Sequence, residues 1–184
     1  MSKSSKSTEP WQTAEIPGPK KALVITKPEV VSAMIRRAKN PILIVGHEAA
    51  EIQLKNGKLI DYIIGIAKNA EIPVVATAHI QGEFLKRRFK VDSWMSAVDI
   101  ANRLRDSEWK GLNGKGTYDL AFFVGIPYYM EWLILSGLKH FSDGLNTISL
   151  GMHYHPNASW SFPNLSVEDW EKNLAAIVKE LGGK

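Results

Sequence analysis

The 184-residue sequence contains no cysteine. This absence excludes disulfides, thiolate zinc sites, a thiol nucleophile and protein-ligated iron–sulfur clusters on this chain. No stretch approaches the run of about 18 apolar residues that a membrane span requires, and no apolar h-region follows Met1. No membrane partner is expected. The body of the chain also lacks an excess of either charge. Residues 1–40 hold eight Lys/Arg against three acids, and the remainder holds fifteen against sixteen. The pI near 9.2 therefore belongs to the N-terminal arm, and the neutral body offers no electrostatic footprint for nucleic acid. What is present, 45% hydrophobic and 23% charged residues, matches an ordinary globular domain with one core. A cysteine-free chain of this kind is expected in the cytoplasm.

Residues 1–20 are rich in Ser, Lys, Thr and Pro without any period, which predicts a flexible basic tail. Trp11 and Ile16 are its candidate anchors, because an aromatic in a polar arm supplies most of the arm's binding energy. Residues 21–184 form a single Rossmann-like α/β domain, with regular structure expected from about Lys27. Pro28 suits a first helical turn, and Val30, Val31, Met34, Ile35 and Ala38 follow at helical spacing. Ile42-Leu43-Ile44-Val45, ended by Gly46, reads as a strand buried on both faces. Further strands are predicted over 73–77, 120–124 and 147–150, and helices over 59–69, 79–88, 95–105 and 127–140. Ser166 and Asp169 make a capping box that opens the last helix. Helices alternating with continuous apolar strands imply a mainly parallel sheet, hence a three-layer α/β/α doubly wound fold.

Ligands in such folds bind beyond the carboxyl ends of the strands, where strand order reverses. Gly46 with His47, Thr77, and Gly125 with Tyr128 stand at those ends and are the candidate cofactor-binding residues. The dinucleotide fingerprint itself is missing, because Gly46 stands alone where G-x-G-x-x-G is required. GLNGKGT over 111–117 is not a P-loop: Gly116 replaces the Ser/Thr, and the segment precedes a strand. His153 and His155 would need a third ligand to hold zinc; no clear partner is offered, and Glu48 or His47 could complete the set only if the fold brings them together. No catalytic and no metal residue is assigned. Lys86-Arg87-Arg88 with Lys90 reads as a solvated helix face, with docking of an acidic partner as its alternative. Aromatic residues on the segment 153–162, Trp160 above all, suggest an interface or a flat ligand.

The segments RRAKNPILIVG (36–46), NAEIPVVATAH (69–79), GLNGKGTYDLAFFVGIPYYM (111–130), LKHFSDGLNTISL (138–150) and NASWSFPNLSVEDW (157–170) occur in order. Together they resemble the epsilon subunit of the archaeal acetyl-CoA decarbonylase/synthase complex, the small partner of its carbon monoxide dehydrogenase subunit. The resemblance implies a domain like the NAD/FAD-binding domain of deoxyhypusine synthase. It also implies a non-catalytic subunit in a two-plus-two assembly with the large nickel–iron–sulfur subunit, which oxidises carbon monoxide. The expected role is to stabilise that subunit or assist electron transfer to FAD. No tightly bound cofactor is expected, and FAD is the one left open. The alternative is a free-standing flavin- or nucleotide-binding electron-transfer domain. Self-association of the chain is left open as well.

Overall fold

The computed structural model describes residues 20–183. The expected tail anchors Trp11 and Ile16 lie outside the described residues. Its strands are β1 (Leu23–Val24), β2 (Pro41–Val45), β3 (Gln53–Leu54), β4 (Gly57–Lys58), β5 (Val74–Ala76), β6 (Ser93–Trp94), β7 (Leu120–Val124), β8 (Asn146–Ser149) and β9 (Trp160–Ser161). The helices are α1 (Glu29–Arg37), α2 (Glu48–Glu51), α3 (Leu59–Ala70), α4 (Gln81–Lys86), α5 (Ala97–Arg105), α6 (Tyr128–Phe141) and α7 (Val167–Gly182). A short 3₁₀ turn, Ala78–Ile80, precedes α4. Seven strands make one parallel sheet in the order β1-β9-β8-β7-β2-β5-β6, and β3 pairs with β4 in a separate antiparallel hairpin. Counted from β2, six of them follow the doubly wound order 3-2-1-4-5-6, with β1 added at one edge.

The central strands are apolar throughout because helices cover both faces of the sheet. On β2, Leu43 and Val45 point to one face, while Ile42 and Ile44 point to the other. The first face is covered by α1, α3 and α7, whose Val31, Ile63, Trp170 and Leu174 share its core. The second is covered by α5 and α6 through Ile100, Ile134, Leu135 and Leu138. Trp170 is fully buried, and its indole N–H donates to the Leu150 carbonyl at 2.8 Å. The expected cap is present: the Ser166 hydroxyl accepts from the Asp169 N–H at 3.1 Å.

Several features differ from expectation, among them the two-residue strands β1, β6 and β9 and the β3–β4 hairpin. Regular structure starts at β1, before Lys27, because Leu23 and Ile25 donate backbone hydrogen bonds to Ser159 and Ser161 and extend the sheet. The segment 153–162 is not an exposed aromatic loop. It contains β9, so Tyr154 and Phe162 are buried and Trp160 is half-buried against the core. In the basic run Lys86, Arg88 and Lys90 are exposed, Lys86 pairing Glu83, and only Arg87 is half-buried, pairing Asp61 at 2.6 Å and Glu83 at 2.9 Å. The Gly-rich segment before β7 is a turn, with Gly111, Gly114 and Gly116 at positive φ. Among the described residues, no helix is long and apolar enough to cross a membrane.

Candidate functional site

Strand order reverses between β2, which leads outward to β5 and β6, and β7, which leads to β8 and β9. A crevice is expected at the carboxyl ends of this pair. Here two glycines close it. A Cβ on Gly46 would fall inside the Gly125 carbonyl and 2.7 Å from the Ile126 Cα. Gly125 has φ +67°, and a Cβ there would lie 2.6 Å from the Ala49 nitrogen. The Gly125 carbonyl accepts from the Glu48 N–H at 3.0 Å, which ties α2 across the seam. These glycines therefore serve backbone-to-backbone packing across the seam.

The open space is displaced to either side of α2. On the β7–β8 side lies a cavity of about 460 Å³ whose wall includes Gly125, Tyr128, Glu131, Met152 and His155. On the β5 side lies a second, of about 490 Å³, lined by His47, Lys58, His79 and Glu83 among others. Glu51 borders both cavities.

The first cavity contains the unusual chemistry. Glu131 and His155 are each only 2% exposed, and His155 Nε2 lies 3.8 Å from Glu131 Oε1. That separation is too long for a hydrogen bond. Glu131 Oε1, His155 Nδ1 and the neighbouring Ser149 Oγ are all buried without a completed hydrogen bond. Burial pushes the Glu131 carboxyl up to about 7; Ser149 opposes the shift and the charge of Glu48 adds to it. Burial holds the His155 imidazole down to about 3, with His153 acting in the same direction. The Tyr128 ring stacks on His155 at 3.9 Å, and its hydroxyl donates to the Tyr154 carbonyl at 2.9 Å. Neutral carboxyl beside neutral imidazole is the arrangement that low dielectric favours.

The structure thus gathers Gly46, Gly125 and Tyr128 at the β2–β7 end, but only Gly125 and Tyr128 face the first cavity. His47 faces the second cavity instead. Thr77 lies at the end of β5 with its hydroxyl buried and unpartnered, away from both linings. Glu131 and Ser149 are not singled out by the sequence reading, and His155 figures there only as a candidate zinc ligand. Glu131 had a legible signal, since it shares a helix face with Ile134, Leu135 and Leu138 at spacings of 3, 4 and 7. A carboxylate on an apolar stripe marks a buried charge. Ser149 carries no such mark, and the i, i+2 pairing with His153 marks His155 as a ligand rather than as a buried neighbour of Glu131.

The first cavity does not fit a dinucleotide pyrophosphate. Glu48, Glu51 and Glu131 line the first cavity, and no Lys or Arg does. The helix after β2 is a single turn whose first turn already carries Glu48 and Glu51. Among the described residues, no group of three or more His, Asp and Glu side chains is placed to hold a metal ion.

Fold and site together define a doubly wound α/β protein whose nucleotide crevice is sealed and whose buried polar groups face an acidic cavity. Its relatives are specific. The family model described as "CO dehydrogenase beta subunit/acetyl-CoA synthase epsilon subunit" matches residues 4–180, and the chain belongs to this family. It is 34% identical over 171 residues to the acetyl-CoA decarbonylase/synthase complex subunit epsilon of Methanothermobacter thermautotrophicus, covering 93% of this chain and 95% of that one. With the subunit epsilon of Methanothrix soehngenii it shares 36% identity over 163 residues, 88% and 84% of the two chains. With subunit epsilon 1 of Archaeoglobus fulgidus it shares 39% over 142 residues, 76% and 73% of the two chains.

Proposed function

We propose that this protein is a non-catalytic small subunit of an acetyl-CoA decarbonylase/synthase complex. In this reading it binds the large nickel–iron–sulfur carbon monoxide dehydrogenase subunit in a two-plus-two assembly and stabilises it. The relatives that support this reading are named as subunits of that complex. A chain without cysteine leaves the thiolate ligands of any cluster to another subunit.

The observation that carries the reading is an exposed apolar stripe. Tyr129, Leu133 and Phe141 recur at multiples of four along α6 and are each about two-thirds exposed. Gly137 completes the row, and Val98 of α5 borders the adjoining groove. Side chains spaced by four share one helix face, and an exposed face of large apolar groups marks a protein contact. The 153–162 segment does not serve this purpose, because its aromatics are spent on the protein's own core.

Native mass spectrometry of this chain mixed with the large subunit tests the reading. Leu133→Glu leaves the fold intact and weakens association by roughly tenfold or more, as expected for a buried anchor. An undiminished two-plus-two species with that variant would remove the stripe from the interface. No complex with the wild-type chain would remove the subunit role.

FAD enters in a second form of the reading, favoured by the aromatic ring of Tyr128 in the cavity wall. The acidic lining cannot supply cations for a pyrophosphate, so the flavin nucleotide would be shared with a cation-bearing partner. The mass of the complex would then rise by one FAD per small subunit, while the isolated chain binds none. Absence of FAD from both would eliminate this form and leave the stabilising role standing.

A further inference from the structure

The cavity at the carboxyl ends of β7 and β8 has a composition that selects its occupant. Its polar wall supplies the carboxyl groups of Glu48, Glu51 and Glu131 and no basic side chain except the imidazoles of His153 and His155. An anion entering it would meet acidic side chains and no Lys or Arg. Ile52, Ile126, Met152 and Trp170 make the rest of the wall largely apolar. At about 460 Å³ it falls within the range of small-molecule sites.

An acidic wall alone would not make a site. The second observation is that Glu131, 2% exposed, lines this space with its buried Oε1 making no completed hydrogen bond, Ser149 and His155 being its polar neighbours, and that His155, equally buried, has an unpartnered ring nitrogen. Buried polar groups ordinarily find partners, and leaving one unmade costs about 1–3 kcal/mol. Two such groups on one cavity wall describe a site with its partner missing. A metal ion is a poor match, since no trio of ligating side chains converges among the described residues. An organic cation suits all the observations. Its head satisfies the carboxylate and lowers the cost of its charge, and its stem covers the apolar wall.

We propose that this cavity is a binding socket for a monovalent organic cation, a guanidinium or ammonium head on a short aliphatic stem, with Glu131 receiving the head and Ile126 and Met152 flanking the stem. Two sources present this chemistry: a free small molecule, or a lysine or arginine side chain of another protein. The groups facing Glu131 are His155 and His153 on the segment after β8, Ser149 at the end of β8, and Glu48 on α2. None of these is a lysine or arginine, so the incoming cation supplies the compensating charge.

The test is calorimetric titration of the full-length chain with n-butylguanidinium and n-butylammonium, with butyrate as the anionic control, up to about 10 mM ligand. Both cations bind and butyrate does not. Because binding requires the ionised carboxyl, affinity at pH 8 exceeds that at pH 6 by about tenfold. Glu131→Gln weakens binding by about tenfold or more at pH 8. Glu48→Gln, at the rim, weakens it a few-fold and serves as the variant free of core disturbance. Absence of cation binding at pH 8 overturns the proposal, as does equal binding by both variants and the wild type. Repeating the titration on the assembled complex separates the sources. Lost binding assigns the socket to a partner's side chain, retained binding to a free molecule, and either result upholds the site. The isolated chain carries the first test, so its failure is independent of whether the α6 stripe meets a partner.

Discussion

The pair formed by Glu131 and His155 predicts a pH dependence of stability that single substitutions should expose. The carboxyl is raised from 4.5 to about 7 in the folded chain. Folded protein therefore holds a proton that unfolded protein releases, and stability falls as pH rises through that window. His155 is lowered from 6.5 to about 3, so the unfolded state gains a proton first and stability falls as pH drops. Each contributes about 1.4 kcal/mol per pH unit where its two states differ. Between about pH 4.5 and 6.5 the slopes oppose each other and the wild type shows little from this pair. His155→Gln removes one slope. Relative to wild type, the variant then loses stability progressively from pH 4.5 to about 6.5, by about 3 kcal/mol. Glu131→Gln does the reverse: relative to wild type it gains stability from pH 4.5 to 7, by a similar amount. Urea unfolding followed by tryptophan fluorescence, at half-unit steps from pH 4 to 8, reads these differences, and the background carboxylates cancel in each comparison. Parallel curves for wild type and both variants would refute the buried, uncompensated pair. So would slopes of the opposite sign.

Two further outcomes follow from the packing. Gly125→Ala costs about 2–5 kcal/mol, combining a left-handed backbone penalty with the clash against Ala49. Gly114→Ala, at a similar φ of +71° but with open space around it, costs only about 1–2 kcal/mol; equal losses in denaturant unfolding would refute the sealed crevice. Trp160→Ala lowers stability by about 2–4 kcal/mol through lost packing but leaves affinity for the large subunit unchanged in folded protein, and weakened affinity at full stability would return that residue to the interface.

The legible parts of the fold are those that local sequence determines. Ile42 to Val45 and Leu120 to Val124 are continuous apolar runs bounded by Pro, Asp or Gly, so they read as central strands. The capping Ser166 and the apolar spacing of α7 likewise need no tertiary knowledge. Strands β1, β6 and β9 are two residues each, too short for a period to register. They exist because neighbouring strands present edges to pair, and Leu23 meets Trp160 across 137 positions. Missing β9 made the 153–162 aromatics look exposed, although pairing with β8 turns Phe162 into the core.

The site was half legible for a related reason. Strand-end glycines correctly marked where β2 and β7 stop, but a glycine that admits a ligand and one that admits another backbone look identical in sequence. Contact between Gly46 and Gly125, which are 79 positions apart, decides between them. Once those backbones touch, the single-turn helix α2 is drawn over the seam, and its Glu48 and Glu51 occupy the place where a phosphate-binding fold keeps bare N–H groups. The same seal leaves the space beside β8 to be bounded by α6. That helix turns Glu131 inward and Leu133 outward, so one element supplies both the cavity's buried acid and the exposed stripe. A doubly wound sheet has in this way retained the topology of a nucleotide site while reversing the charge that such a site requires.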